Sequence, residues 1–254
     1  MPNINRFFVI SAFVLVALLL LACQPLPPVP PEPASEEPGL RSPGPSPVDL
    51  TWDGQHLWVV DDETRSLYRL SVETGESVRA LQTEVKQPRG IAWDGESLWV
   101  IDAAEGAIFR FDPVTGEQIG AVQAPKPEIE GDWALTGLAW DGKYLWVPIS
   151  AGWCSTMNRV DPDTGEIIDS FFPQCDPRGL ATDGQHVWTI AYNGPELPSR
   201  LSQRLLSEEP AKKITSQEFL SDLPVQDPAG LTLGKDVLWT IDRSTGRIVP
   251  IQFR

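Results

Sequence analysis

From residue 48 onward the chain repeats one unit, and a repeat confines the fold to architectures in which like units stack on or close with one another. The second copy is the cleanest: Gly90-Ile91-Ala92-Trp93-Asp94-Gly95, Leu98-Trp99-Val100-Ile101-Asp102, Ile108-Phe109-Arg110-Phe111-Asp112-Pro113, then Thr115-Gly116-Glu117. The first has the same wording, from Val48-Asp49-Leu50-Thr51-Trp52-Asp53-Gly54 through Leu57-Trp58-Val59-Val60-Asp61 to Thr74-Gly75-Glu76. Three further copies are anchored by Trp140 with Trp146, by Asp183-Gly184 with Trp188, and by Gly230-Leu231 with Trp239. The second-strand tryptophans Trp58, Trp99, Trp146, Trp188 and Trp239 stand 41, 47, 42 and 51 residues apart.

Each copy holds short alternating apolar runs divided by Asp-Gly and Asp-Pro-x-Thr-Gly-Glu, which are turn signals because glycine supplies positive φ. About four strands fit in one period, and the 3.6-residue rhythm of helical repeats is missing. The expected fold is therefore all-β, a propeller of five blades with about four antiparallel strands each, over residues 48–254. Eight of the ten tryptophans belong to the repeat, where packing between blades accounts for them. Trp133 and Trp153 do not. The fifth copy stops at Phe253 with no obvious fourth strand, so either the last blade has three strands or part of residues 40–47 covers its edge, although the prolines there are poor strand material.

The first 47 residues are of a different kind. Arg6 is the only charge before Glu32, and the 15-residue apolar run Phe7–Leu21 ends in Leu20-Leu21-Ala22-Cys23. That run is short for a membrane span and resembles a bacterial lipoprotein signal, residues 1–22, cleaved before a lipid-modified Cys23. Residues 23–47 then form a tether: positions 24–47 hold ten prolines, a composition that favours extended polyproline II over a packed core. The resemblance implies attachment to the membrane through the lipid, in a bacterial cell envelope and on the extracytoplasmic side. Gln24 in place of aspartate points to the outer membrane if the host has one.

Charge removes one class of partner. The chain has 20 Lys and Arg against 35 Asp and Glu, net −15, without the basic patch that nucleic-acid binding requires. Ligands of propellers meet the face formed by loops leading into each blade and loops joining second to third strands. On that face the sequence places Arg89 and Arg178, the recurring Asp61, Asp102 and Asp242, and the aromatics Trp133, Trp153 and Tyr192. Recurrence also suits a charge pair that closes each blade. Cys154 and Cys175 fall in adjacent loops of this face, and an exported compartment favours a disulfide between them. His56 and His186 share the context Asp-Gly-Gln-His and read as turn residues. No metal-ligand spacing, phosphate loop or dinucleotide fingerprint occurs, so neither a metal nor a cofactor is expected.

The repeat resembles quinoprotein-like, NHL-like and glutamine-cyclotransferase-like propellers. Thr136-Gly137-Leu138-Ala139-Trp140-Asp141-Gly142-Lys143-Tyr144-Leu145-Trp146 with Asn158-Arg159-Val160-Asp161 is similar to a blade of the bacterial glutamine cyclotransferases. That family forms N-terminal pyroglutamate without a metal, with a glutamate as proton shuttle. Its Gln-Gly-Leu stands here as Thr136-Gly137-Leu138, and its Glu-Gly-Trp-Gly-Leu has only Asp176-Pro177-Arg178-Gly179-Leu180 to match it. The departures fall on the chemistry, leaving Glu130 and Glu196 as candidate acids. The expected function is a non-catalytic binding or scaffold module for a peptide, glycan or envelope protein, with cationic or sugar-like ligands suited to aromatics beside carboxylates; a cyclotransferase is the alternative.

Overall fold

The computed structural model describes residues 39–126, 132–151, 154–171, 177–192, 194, 198–206, 214–223 and 225–252. Gly39–Arg254 is one compact unit. The leader and the tether as far as residue 38 lie outside the described residues.

A short strand, β1 (Leu40–Arg41), comes first. The alternating runs of the first copy then pair as β2 (Pro47–Trp52), β3 (His56–Asp61), β4 (Ser66–Ser71) and β5 (Ser77–Gln82). The second copy gives β6 (Pro88–Trp93), β7 (Leu98–Asp102), β8 (Ala107–Phe111) and β9 (Gln118–Gln123). In the third are β10 (Ala134–Leu135), β11 (Ala139–Trp140), β12 (Leu145–Ala151), β13 (Cys154–Val160) and β14 (Ile167–Phe171). The fourth holds β15 (Pro177–Thr182), β16 (His186–Ala191), β17 (Arg200–Leu206) and β18 (Ile214–Asp222). β19 (Pro228–Gly234), β20 (Val237–Asp242) and β21 (Arg247–Ile251) complete the chain. These strands form five small antiparallel sheets, with no helix among the described residues: the protein is a five-bladed β-propeller.

Two details go beyond the repeat. The last blade takes its fourth strand from the start of the domain, because Leu40 and Arg41 pair with Ile248 and Arg247 of β21 and the Ser42 amide donates to the Gly246 carbonyl. Pro38 and Pro43 bracket this strand, which keeps it two residues long. In the third blade the first strand is split. Both β10 and β11 pair with β12, and the gap at Thr136–Leu138 lies beside Pro148, which has no N–H to continue the ladder; only the Thr136 amide reaches the Pro148 carbonyl, at 3.2 Å.

The repeat also has a polar logic. Asp53 accepts the amides of Gln55 and His56 in the Asp-Gly turn, and its second oxygen accepts the Trp58 indole N–H at 3.0 Å and Arg69 Nε at 3.0 Å. The Arg69 guanidinium lies 5.7 Å over the Trp58 ring. Asp94 with Trp99 and Arg110 repeats this arrangement, and Asp141 binds the Trp146 indole while Arg159 covers its ring. The carboxylate satisfies the indole N–H that blade packing would otherwise strand in an apolar contact.

Five apolar clusters seal the blade interfaces, one for each junction. Trp58 packs with Ile91 and Phe111, Trp99 with Leu138 and Leu145, Trp146 with Leu180 and Val187, and Trp188 with Leu231 and Ile251. The closing junction gathers Leu50, Leu57 and Ile241, with Leu40 and Trp239 against them. At the axis the first strands crowd together: a Cβ on Gly90 would lie 2.6 Å from the Gly137 carbonyl carbon, and one on Gly179 2.7 Å from that of Gly230. Replacing Gly90 by alanine therefore drives a methyl into backbone that cannot yield, and we expect a loss of about 1–3 kcal/mol in urea unfolding, against no measurable loss for Gly120→Ala, whose Cβ meets nothing closer than 3.6 Å.

Candidate functional site

In four of the blades the first strand is bulged near its start, with a register shift in the pairing of β2, β6, β15 and β19 to the neighbouring second strand. A bulge leaves one residue out of the ladder and re-aims its side chain. The skipped residues in the first, second and fourth blades are Val48, Arg89 and Arg178. All three line a single funnel-shaped cavity of about 520 Å³. Ala134, Leu135 and Thr136 from the split strand, Pro228 and Ala229 from β19, Ser46, Ser150, Asp62 and Arg243 complete its wall.

Next to Val48 in β2 stands Asp49. Glycine occupies the matching position of the other blades (Gly90, Gly137, Gly179, Gly230), so this one carboxyl projects into a circle of bare backbone. It accepts the amides of Leu50 at 2.8 Å and Ile91 at 3.0 Å, and the amides of Leu138 and Leu231 also bond to it. Asp49 thus ties the first, second, third and fifth blades to one point. It is buried, 2% exposed, and desolvation pushes its pKa up to about 8 against the pull of those four amides. An acid raised in the folded state stabilises the fold fully below its unfolded pKa, and the contribution is lost as pH rises through the folded value. Wild type should accordingly lose thermal stability relative to Asp49→Asn between pH 5 and pH 9, measured as the difference between the two melting temperatures across the range.

Of the residues expected on the binding face, Arg89 and Arg178 line the funnel. Arg89 pairs with Asp62 at 3.0 Å, and the Arg178 guanidinium lies 4.9 Å over the Tyr192 ring. Arg178 and Tyr192 also border a shallower depression of about 360 Å³ with Gln226, Asp227, Arg243 and Ser244. Asp61, Asp102 and Asp242 are buried and occupied by backbone. Asp61 accepts the amides of Ser46 and Thr64, Asp102 those of Lys86, Gln87 and Ala104, and Asp242 those of Gln226 and Ser244. Each carboxylate thereby clasps the loop leading into its blade to the loop after its second strand. Trp133 is exposed beside β10. Trp153, Cys175, Glu130 and Glu196 lie outside the described residues, as does the side chain of Cys154. His56 and His186 sit in the Asp-Gly turns beside Asp53 and Asp183.

The loops Asp61-Asp62-Glu63 and Asp242-Arg243 fall on the expected face, so Asp62 and Arg243 are legible there as loop residues but not as site residues, while Asp49 reads only as part of the repeat. Arg243 stands in the Asp242-Arg243 pair, and it binds Asp227 through Nε and Nη2 at 3.0 and 3.2 Å. Asp62 is the counter-ion of Arg89. Asp49 carried a visible signal, an aspartate in a column that is otherwise glycine. The charged groups at this mouth are arranged in pairs, Arg89 with Asp62 and Arg243 with Asp227, and Arg178 lies over the Tyr192 ring.

No protein-family model and no curated protein matches the chain. Solved structures do. The chain is similar to the glutaminyl cyclase of Myxococcus xanthus at 14% identity, over 84% of this chain and 90% of that one, with a TM-score of 0.57. It is similar to Kuenenia stuttgartiensis hydrazine synthase at 16% identity (84% and 78% covered, TM-score 0.51) and to a chain of the nidogen/laminin complex at 16% (82% and 76%, TM-score 0.53). Proteins named for such different roles share the propeller alone, so the likeness carries the fold and leaves function to the site.

Proposed function

We propose that the chain is a lipid-anchored, extracytoplasmic binding module whose ligand enters the arginine-walled funnel. The observation that carries this reading is the bulge in the first strands of three blades, which turns Val48, Arg89 and Arg178 into one cavity of ligand size. The funnel combines apolar side chains with a few polar and charged groups from several blades, the usual make-up of a small-molecule or chain-end site. Its described lining offers hydroxyls (Ser46, Thr136, Ser150) but no histidine to activate them. Once the leader is removed, lipidated Cys23 and the proline-rich tether would attach the domain to the membrane, with Cys154 and Cys175 proposed as a disulfide that braces the same face as the funnel.

Glutamine cyclotransferase activity is the competing reading, supported by the cyclase-like blade and the Myxococcus xanthus neighbour. The carboxylates at the mouth disfavour it, since Asp62 and Asp227 are already taken by Arg89 and Arg243 and offer no unpaired partner to the α-ammonium that an N-terminal glutamine carries. The exported protein incubated with an N-terminal-glutamine peptide should release ammonia no faster than the spontaneous control, followed by mass spectrometry. Acceleration that is abolished by Glu130→Gln or Glu196→Gln would replace the binding reading with the enzymatic one.

The anchor is tested separately. Cells producing the full chain and fed radiolabelled palmitate should yield a labelled protein in the membrane fraction, and Cys23→Ser should lose the label and leave an uncleaved precursor.

A further inference from the structure

An arginine's Nε and Nη2 hydrogens point the same way and match the two oxygens of a carboxylate. This protein uses that edge twice for its own carboxylates. Arg159 grips Asp169 through Nε and Nη2 at 2.9 and 2.8 Å, and Arg243 grips Asp227 in the same manner. Arg89 departs from the pattern. It donates only through Nη1, to Asp62 at 3.0 Å and to the Pro88 carbonyl at 2.7 Å. Its Nε and Nη2 hydrogens bond to none of the described residues, and the side chain is 29% exposed in the funnel wall. Asp62 and Pro88 together fix the guanidinium from one side, so the fork is held in place before any ligand arrives.

The rest of the wall says what accompanies the anion. Val48, Ala134, Leu135, Pro228 and Ala229 are aliphatic, with no aromatic ring among the described lining residues, while Arg178 adds a second guanidinium on the same wall. A carboxylate with an aliphatic group one bond away meets both demands. We infer that the funnel receives the free C-terminal carboxylate of a peptide ending in a small apolar residue, docked side-on to Nε and Nη2 of Arg89 with its last side chain toward Val48, Leu135 and Ala229. This inference rests on the reading of the funnel as a binding site and names its ligand. Arg89 is then the specificity residue, and the paired Asp62 orients it.

The test uses the full chain, exported and solubilised in detergent, with a degenerate pool of N-terminally fluorescent hexapeptides ending in Ala, Val or Leu and the same pool with amidated C-termini. Fluorescence polarisation should show binding of the free acids and about tenfold or greater weakening on amidation. Arg89→Gln should weaken the acids by a similar factor, and Arg89→Lys should not restore them, because a lysine keeps the charge and loses the fork. Melting temperatures of both variants, compared with wild type, establish that they are folded. Equal binding of acid and amide pools, lost in Arg89→Gln, would overturn the carboxylate and keep the funnel as the site. Binding untouched by both Arg89→Gln and Arg178→Gln would overturn the funnel itself. Failure of every peptide, or displacement of the acids by inorganic phosphate as effectively as by acetate, would overturn the peptide assignment.

Discussion

Five sheets meeting around one axis leave little room at their inner edges, and the way this chain fills that space governs what lies above it. Glycines at the crossing points let the first strands approach to backbone contact, and Asp49 occupies the remaining gap. Its carboxyl answers amides from four blades, which would otherwise point at one another across the axis. The cost is a desolvated acid, and the benefit is a ring closed by hydrogen bonds at its narrowest point. The bulges of β2, β6 and β15 fall one residue before Asp49 and its glycine counterparts, and each turns a side chain into the funnel.

Charge at that mouth is set by local pairs rather than by the net charge of the molecule. The net charge of −15 repels anions at long range, but screening limits such fields to roughly 8–10 Å in physiological salt. Inside the funnel the relevant charges are guanidinium groups held at fixed positions, two of them by their own carboxylates. A site built this way gains little from steering and much from geometry, so it discriminates by the shape of the anion and by what is attached to it. The same architecture explains the fate of the repeated aspartates. Asp61, Asp102 and Asp242 recur because each clasps two loops of its own blade, whereas the residues that line the funnel differ from blade to blade.

The chain's sequence by itself determined the number of blades, their strand order and the tryptophan positions, because these depend on alternation, turn chemistry and period, all of which are local. It also placed Arg89 and Arg178 on one face, since the repeat fixes where each strand begins. The carboxylates beneath the indoles were legible as repeated Asp-Gly turns, although their second role, binding Trp58, Trp99 and Trp146, appears only when the side chains are in place. Tertiary structure alone decided the rest. Leu40 and Arg41 complete the last blade through a partner some two hundred residues away; the sequence leaves residues 40–47 as one of two ways to close that edge, with their prolines arguing against a strand. That Arg89 keeps its fork open while Arg243 spends its own depends on which carboxylate lies within about 3 Å of each guanidinium. Periodicity cannot supply that distance, because it is set by how strands from different blades converge on the axis.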